Sequence, residues 1–444
     1  MTSQREWRAW PLRLCGMVIA LQACPTAPAI AEEVYVSGTI GLEYSSDFDG
    51  GPVIGRFGLE LQADTRPYDW LTLVGIARLQ VDFADKLEPG QPNQHNRWPA
   101  SRRLLLGDEG EIELRELYAD MTIDDIFIRL GKQQIVWGQA DGLKVLDVVN
   151  PQSFREFILD DFDSSRTPLW SMSAQVPFGD VIAEFVWIPD NSFDDIPAPD
   201  AYFGVRSPLL LLPPVPGKNL VVEEAQRPGR FFADADYGVA LTALVGNWDL
   251  SFNYLYQYNN LPQFLYAEDE TTLTVSPEYT RTHMIGGSFS TSLGDFIIRG
   301  ELAWFTNRSF TVARTAEPTG SVLTGELSYV LGLDYSGISD TFISVQLFQS
   351  FVQDHVPGMI RDATETNMTF YVRRTFNSDL SKIELRDVTN LGRGDGFVEL
   401  SAEHELSDNI TIGARVVVFY GDQFGLIGQY RSKDFFGINL EFGL

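Results

Sequence analysis

From Val34 onward the chain repeats one pattern, an apolar residue at every second position, and the repeats are joined by connections that are by turns short and long. A period of two sends alternate side chains to opposite faces of a strand. Val34, Val36, Ile40, Leu42 and Tyr44 share one parity, as do Phe57, Leu59, Leu61 and Ala63, and then Leu71, Leu73, Ala77, Leu79, Val81 and Phe83. In "FIIRGELAW", Phe296, Ile298, Leu302 and Trp304 face one way and Arg299 and Glu301 the other; "TGELSYVLGLDY" and "ITIGARVVVFY" repeat the rhythm. The short connections fall at 65–69, 124–125, 178–180, 246–247, 293–295, 336–340, 377–382 and 407–409. The long ones fall at about 84–110, 139–168, 189–234, 259–277, 307–321, 352–366 and 421–434, with shorter members near 45–54 and 389–396.

Short turns on one rim and long loops on the other are the arrangement of an outer-membrane barrel. The expected fold is therefore all-β, a closed antiparallel transmembrane β-barrel of about 18 strands, with 16 as the alternative count. Its long loops would be extracellular and its short turns periplasmic. A soluble sandwich would turn polar residues outward, whereas this outward face is apolar and aromatic. After residue 31 no apolar run reaches the length of a spanning helix; Leu209, Leu210, Leu211 and Leu212 end at once in Pro213 and Pro214.

The address agrees with this reading. Arg5, Arg8 and Arg13 precede an apolar run at 14–21, and Ala29-Ile30-Ala31 offers a small-x-small cleavage site, so residues 1–31 are expected to be a signal peptide and 32–444 the barrel. A lipoprotein signal ending at Cys24 is the alternative, with Gln22 fitting it poorly. Both cysteines, Cys15 and Cys24, fall in the leader, which removes disulfides and thiolate metal sites from the remainder. The destination is the outer membrane of a Gram-negative bacterium, in contact with its lipid and lipopolysaccharide.

In such a barrel the polar parity lines the lumen, which places Arg78, Gln80, Arg129, Arg299, Glu301, Glu326, Gln346, Glu399 and Arg415 inside. Tyr254, Tyr256, Trp304 and Tyr420 fall on the lipid face, suited to aromatic girdles. The net charge of −28 is concentrated in loops such as "ILDDFDSS", "DNSFDDIPAPD", "FADADY" and "YAEDET". The plain reading of such loops is a solvated surface; the functional readings are loose binding of divalent cations such as Ca²⁺, although none has the spacing of a defined calcium motif, and a mouth that repels anions. Phosphate and nucleic acid are not the expected cargo of so acidic a chain. Residues 201–222, "AYFGVRSPLLLLPPVPGKNLVV", break the polar habit and read as a loop packed over the mouth or as a greasy vestibule.

Catalysis has little to rest on, and no enzyme is expected. His95 and His355 lie in loops and His404 near a short turn. His283 shares a strand with Ser288 and Ser290, but those serines have the opposite parity, so no dyad forms along it. No HExxH-like metal spacing occurs.

The stretch "LRELYADMTIDDIFIRLGKQQIVWGQADGLKVLDVVNPQSF", residues 114–154, resembles the signature of a broad family of proteobacterial outer-membrane porin-like proteins of unknown function. Gly131, Gln133, Trp137, Gly138, Asn150 and Pro151 are the matching positions, where a strand ending in Gly-x-Gln-x-x-x-Trp-Gly runs into a loop with Asn-Pro. The C-terminal "DNITIGARVVVFYGDQFGLIGQYRSKDFFGINLEF" is similar to the same family. The resemblance implies an outer-membrane barrel; members are often associated with RND-type exporters of lipids or other hydrophobic compounds. Physically, Trp137 suits the membrane interface, Gly138 and Gly142 permit a tight turn, and the loop is long enough to fold inward. Asp147, Arg155, Glu156, Asp160 and Asp161 are the candidates for its constriction, with Arg78, Arg129, Arg299, Glu301 and Arg415 on the wall around it.

The expected function is a channel passing small solutes, with selectivity set by the inward loop and the lumen charges. The alternative is an outer-membrane component of a lipid or hydrophobic-molecule transport system, working with an envelope partner. The ending "FFGINLEFGL" is expected to be the closing strand, pairing with the first near 34–44 to remove the sheet edge. It also resembles the signal read by the barrel-assembly machinery, with Gly437, Leu440 and Phe442 at matching positions and Gly443 and Leu444 as a departure. Solute, direction of transport and oligomeric state stay open.

Overall fold

The computed structural model describes residues 34–444; the expected leader, with Cys15 and Cys24, lies outside the described residues. Eighteen antiparallel strands close into one barrel. They are β1 (Val34–Asp47), β2 (Pro52–Tyr68), β3 (Leu71–Asp82), β4 (Gly110–Ile123), β5 (Ile126–Gln133) and β6 (Leu169–Phe178). Then come β7 (Val181–Ile188), β8 (Asp236–Val245), β9 (Trp248–Tyr258), β10 (Arg281–Leu293), β11 (Phe296–Thr311) and β12 (Ser321–Ile338). The circuit ends with β13 (Thr341–Val352), β14 (Thr364–Phe376), β15 (Ser381–Asn390), β16 (Asp395–Ser407), β17 (Ile410–Tyr420) and β18 (Phe435–Gly443).

Closure is made by β1 and β18 in the register Leu42 opposite Leu440 and Ile40 opposite Phe442. With that pairing no strand of the barrel keeps a row of unpaired backbone groups, the condition for a sheet to sit in lipid. The count is 18 rather than 16, and the tight turns fall where expected, at 69–70, 124–125, 179–180, 246–247, 294–295, 339–340, 377–380 and 408–409. Outward side chains such as Phe252, Ile285, Leu302, Leu331 and Val345 are exposed on the barrel and form its apolar belt. Trp304 joins them, and Tyr254 and Tyr256 lie on the same outward parity of β9.

Above the barrel, on the long-loop rim, Gln263–Glu268, Thr272–Glu278 and Asn219–Val222 make a separate three-stranded sheet. Much of the remaining loop mass turns inward, and this divides the lumen. On β7 to β13 the inward side chains include Val186, Ile188, Ala240, Leu255, Met284, Ala303, Phe305, Val330 and Phe348, all buried in one apolar cluster. The expectation of a uniformly polar inner face is thus corrected for this half of the barrel. These residues do not face water, because Val145, Leu146 and Val149 of the loop 134–168 pack on them.

Candidate functional site

The loop 134–168 turns into the barrel because its two stems are fastened together. Asn150, fully buried, accepts the backbone N–H of Ile135 on Oδ1 at 2.8 Å and donates from Nδ2 to the carbonyl of Thr167 at 2.8 Å. The N–H of Thr167 donates to the carbonyl of Pro151 at 2.8 Å. Below them Gln133 donates from Nε2 to the carbonyl of Ser171 at 3.2 Å, tying β5 to β6. Gly131 has φ of 141°, and a Cβ there would stand 2.1 Å from the carbonyl oxygen of Leu117, so only glycine fits. Gly131, Gln133, Asn150 and Pro151, matched earlier to a family signature, therefore build the root of an inward loop.

The descending arm is held to the wall by Glu301 of β11. Its carboxylate accepts the backbone N–H groups of Gln139, of Ala140 at 2.7 Å and of Leu146 at 3.1 Å. Gly138, at φ 96°, leaves room for this, since a Cβ would lie 2.8 Å from Glu301 Oε1. Arg299, two residues away and on the same face, pairs with Asp141 at 2.5 Å and with Asp334 of β12 at 3.1 Å. Trp137 corrects an expectation: it is not at the membrane interface but inside, 4% exposed, packed in the apolar cluster and donating its indole N–H to Glu184 of β7 at 2.9 Å. An indole pays least for burial when its N–H has a partner, and Glu184 supplies one.

The returning arm faces the other half of the lumen. A cavity of about 690 Å³ lies there, walled by β14 to β18 and β1 to β4 and bounded by Ser153, Arg155, Glu156, Leu159, Asp160, Asp161 and Arg166 of the loop. Cross-strand register sets opposite charges side by side on this wall. Glu43 pairs with Arg56 at 2.5 Å, Glu60 with Arg78 at 2.7 Å, and Glu399 with Arg386 at 2.6 Å. Arg115, the extra residue of a bulge between β3 and β4, reaches the same space and lies 3.6 Å from Glu113.

Of the charged residues singled out from the sequence, Arg78, Arg155, Glu156, Asp160, Asp161, Glu399 and Arg415 line this cavity. The others stand elsewhere. Asp147 is buried behind it against Arg166 at 2.9 Å, while Arg299 and Glu301 grip the descending arm. Arg129, low on β5, is locked to Asp120 by bonds of 2.6 and 2.8 Å with its guanidinium 4.0 Å from the Tyr118 ring. Glu43, Arg56, Arg97, Arg115, Arg166, Lys382 and Arg386 also line the cavity and were not singled out. Arg56 was readable, lying on the parity opposite to Phe57 and Leu59.

Burial works against an ionised Glu156, yet Arg56 and Arg415 more than offset it and hold its carboxyl below the usual range. Burial together with the neighbouring Glu156 pushes the Asp160 carboxyl up to about 7. In the acidic loops Asp195 is buried and bonded to Arg97, and Asp234 is bonded at 2.8 Å to Arg230, which is itself exposed. Among the described residues no three His, Cys, Asp or Glu side chains gather as a metal site.

Between the cavity and the long-loop rim lies a second apolar cluster. Phe157 and Leu159 of the inward loop, Phe203 of the segment 201–222, Ile427 and Tyr430 of the last long loop, and Phe397, Phe419 and Phe435 of the wall pack together there. Tyr430 donates its hydroxyl to the carbonyl of Phe203 at 2.9 Å, and Tyr202 to that of Lys433 at 3.1 Å. The segment 201–222 is thus divided in role: its beginning caps the mouth, Leu212 packs beside Tyr266, and Leu220, Val221 and Val222 are exposed on the edge of the small sheet. His283 turns outward beside Tyr254, its Nδ1 2.9 Å from that hydroxyl, whereas Ser288 turns inward and bonds Ser251 at 2.7 Å.

A sequence profile described as "Protein of unknown function (DUF1302)" matches residues 84–356. No curated protein matches the sequence. Among solved structures the chain is similar to Acinetobacter baumannii OccAB2, at 11% identity and a TM-score of 0.52, over 93% of this chain and 98% of that one. It is similar over the same shares to Pseudomonas aeruginosa OpdK, crystallised with vanillate, at 8% identity and 0.52. Pseudomonas aeruginosa OccK9 (OpdG) gives 8% and 0.51, again over 93% and 98%. At these identities the likeness is one of fold.

Proposed function

Because the chain belongs to the DUF1302 family and folds as an 18-strand outer-membrane barrel, we propose that it is a channel for small solutes, gated by its own inward loops. The observation that carries this reading is the division of the lumen. One half is sealed by apolar packing, and the other keeps a charged cavity of about 690 Å³ between the loop 134–168 and nine consecutive strands. A barrel serving only as a membrane anchor has no use for an unfilled, charge-lined space on one side of a built partition. Selectivity is assigned to the charges facing that space, with Arg78, Arg155, Glu156, Asp160, Asp161 and Arg415 among them. Arg299, Glu301 and Asp147 take a different role, as anchors of the partition, and Arg129 a structural one low on the wall.

The apolar cluster at the mouth favours a second reading, a component that passes amphipathic or hydrophobic molecules with an envelope partner. Phe157, Phe203 and Tyr430, buried together, lie between the long-loop rim and the charged cavity on this side. Liposome swelling separates the two readings. Reconstituted barrels are expected to admit uncharged sugars in order of size; swelling no faster than in protein-free liposomes for every sugar, with permeation of apolar solutes alone, would favour the second.

A further inference from the structure

On the cavity wall two guanidiniums converge on one carboxylate. Glu43 of β1 stands directly opposite Arg56 of β2 and bonds it at 2.5 Å; Arg415 of β17 reaches over β18, where Asn439 is the residue opposite Glu43, and bonds the same carboxylate at 2.5 Å. The second anion on this pair does not come from the wall. It is Glu156 of the loop, bonded to Arg56 Nη1 and 3.5 Å from Arg415 Nη2, with its side chain only 2% exposed. Glu399, at 3.9 Å from Arg415, is already held by Arg386 at 2.6 Å.

We infer that Arg56 and Arg415 form a carboxylate-binding site of the channel, and that Glu156 occupies it as a built-in substitute which a carboxylate-bearing solute displaces. The inference rests on the channel reading for its consequence, but the site itself does not depend on it. Guanidiniums bind carboxylates through charge-assisted bonds, and exchanging one carboxylate for another on the same donors keeps bonds of the same kind. Vacating the pair without replacement leaves buried charge uncompensated, which is strongly unfavourable. Exchange is therefore the easy route by which the returning arm lifts off the wall. The carboxylate of Glu43, which stays on both guanidiniums, and that of Glu399 beside Arg415 disfavour a doubly charged anion, so a monocarboxylate is preferred over phosphate.

Acetate binding to the detergent-purified full-length protein, followed by saturation-transfer NMR, tests this. Glu156→Gln keeps the shape of the loop and removes the competing charge; a unit charge a few ångströms away in a partly solvated site is worth roughly tenfold in affinity. Acetate is expected to bind this variant about tenfold more tightly than wild type, and the gain should vanish when Arg56→Ala and Arg415→Ala are added. Equal affinity of wild type and Glu156→Gln would overturn the proposal, as would a gain that survives the loss of both arginines. Equal strengthening of inorganic phosphate and acetate would overturn the preference for monocarboxylates. Planar-bilayer currents from the same preparation report separately on the channel: acetate binding as described with no current retains the site and removes the channel reading.

Discussion

Glu301 on the barrel wall receives the backbone N–H of Ala140 at 2.7 Å, from a loop more than 150 residues earlier in the chain. With the N–H groups of Gln139 and Leu146 on the same carboxylate, one inward side chain fixes where the partition lies. Glu301→Ala leaves these buried donors without an acceptor, at about 1–3 kcal/mol each where water does not replace it. The loop should then become sensitive to protease between 139 and 149 while the barrel stays folded. Glu301→Gln, which keeps an acceptor oxygen, should lose much less; equal protease resistance of Glu301→Ala and wild type would count against the anchor.

Asn150 joins the two stems of the same loop. Asn150→Ala removes both bonds and leaves a buried N–H and a buried carbonyl without partners, at about 1–3 kcal/mol each where water does not replace it. Hydrogen exchange at Ile135 is the measurement: its amide should lose protection in Asn150→Ala and keep it in a variant such as Asp408→Ala at a short turn.

The loops should loosen as the pH rises. Asp160 and Asp194, both on inward-folded loops, have carboxyls pushed up to about 7, chiefly by burial and, for Asp160, also by Glu156. A carboxyl raised in the folded state stabilises that state when protonated. The contribution is complete below the ordinary value of 3.8 and is lost as the pH climbs through 7. Channel openings should therefore be rarer at pH 5 than at pH 8, and Asp160→Asn with Asp194→Asn should flatten that dependence. A profile unchanged by the two substitutions would remove these groups from the account.

Deleting residues 209–216 tests the mouth. These residues include Leu212, which packs beside Tyr266, and Pro213 and Pro214, which are exposed. If the segment serves as a vestibule for apolar solutes, their uptake should change more than that of small polar ones; equal changes would assign it to closing the mouth.

The barrel was legible in the sequence because its cause is local. Alternation in β1, β3 and β11, and a turn such as Asp124-Asp125, each state their strand without reference to anything distant. The inward apolar residues of β9 to β13 were not legible in the same way. Leu255, Met284, Phe305 and Phe348 look misplaced on a lumen face until Leu146 is known to pack on them, and that contact spans a hundred residues or more. Trp137 misled for the related reason that an aromatic beside a glycine turn fits the membrane interface equally well by composition. The cavity lies between these extremes. Glu43 and Arg56 could be placed inside by parity, but only the fold brings Glu156 against them.

Single-channel recording in a planar bilayer tests the central claim, that a loop anchored on Glu301 partitions an otherwise open barrel. Discrete ion-conducting openings are expected for the wild-type protein and a larger unit conductance for Glu301→Ala. Silence from both proteins, or identical unit conductance in the two, would contradict it.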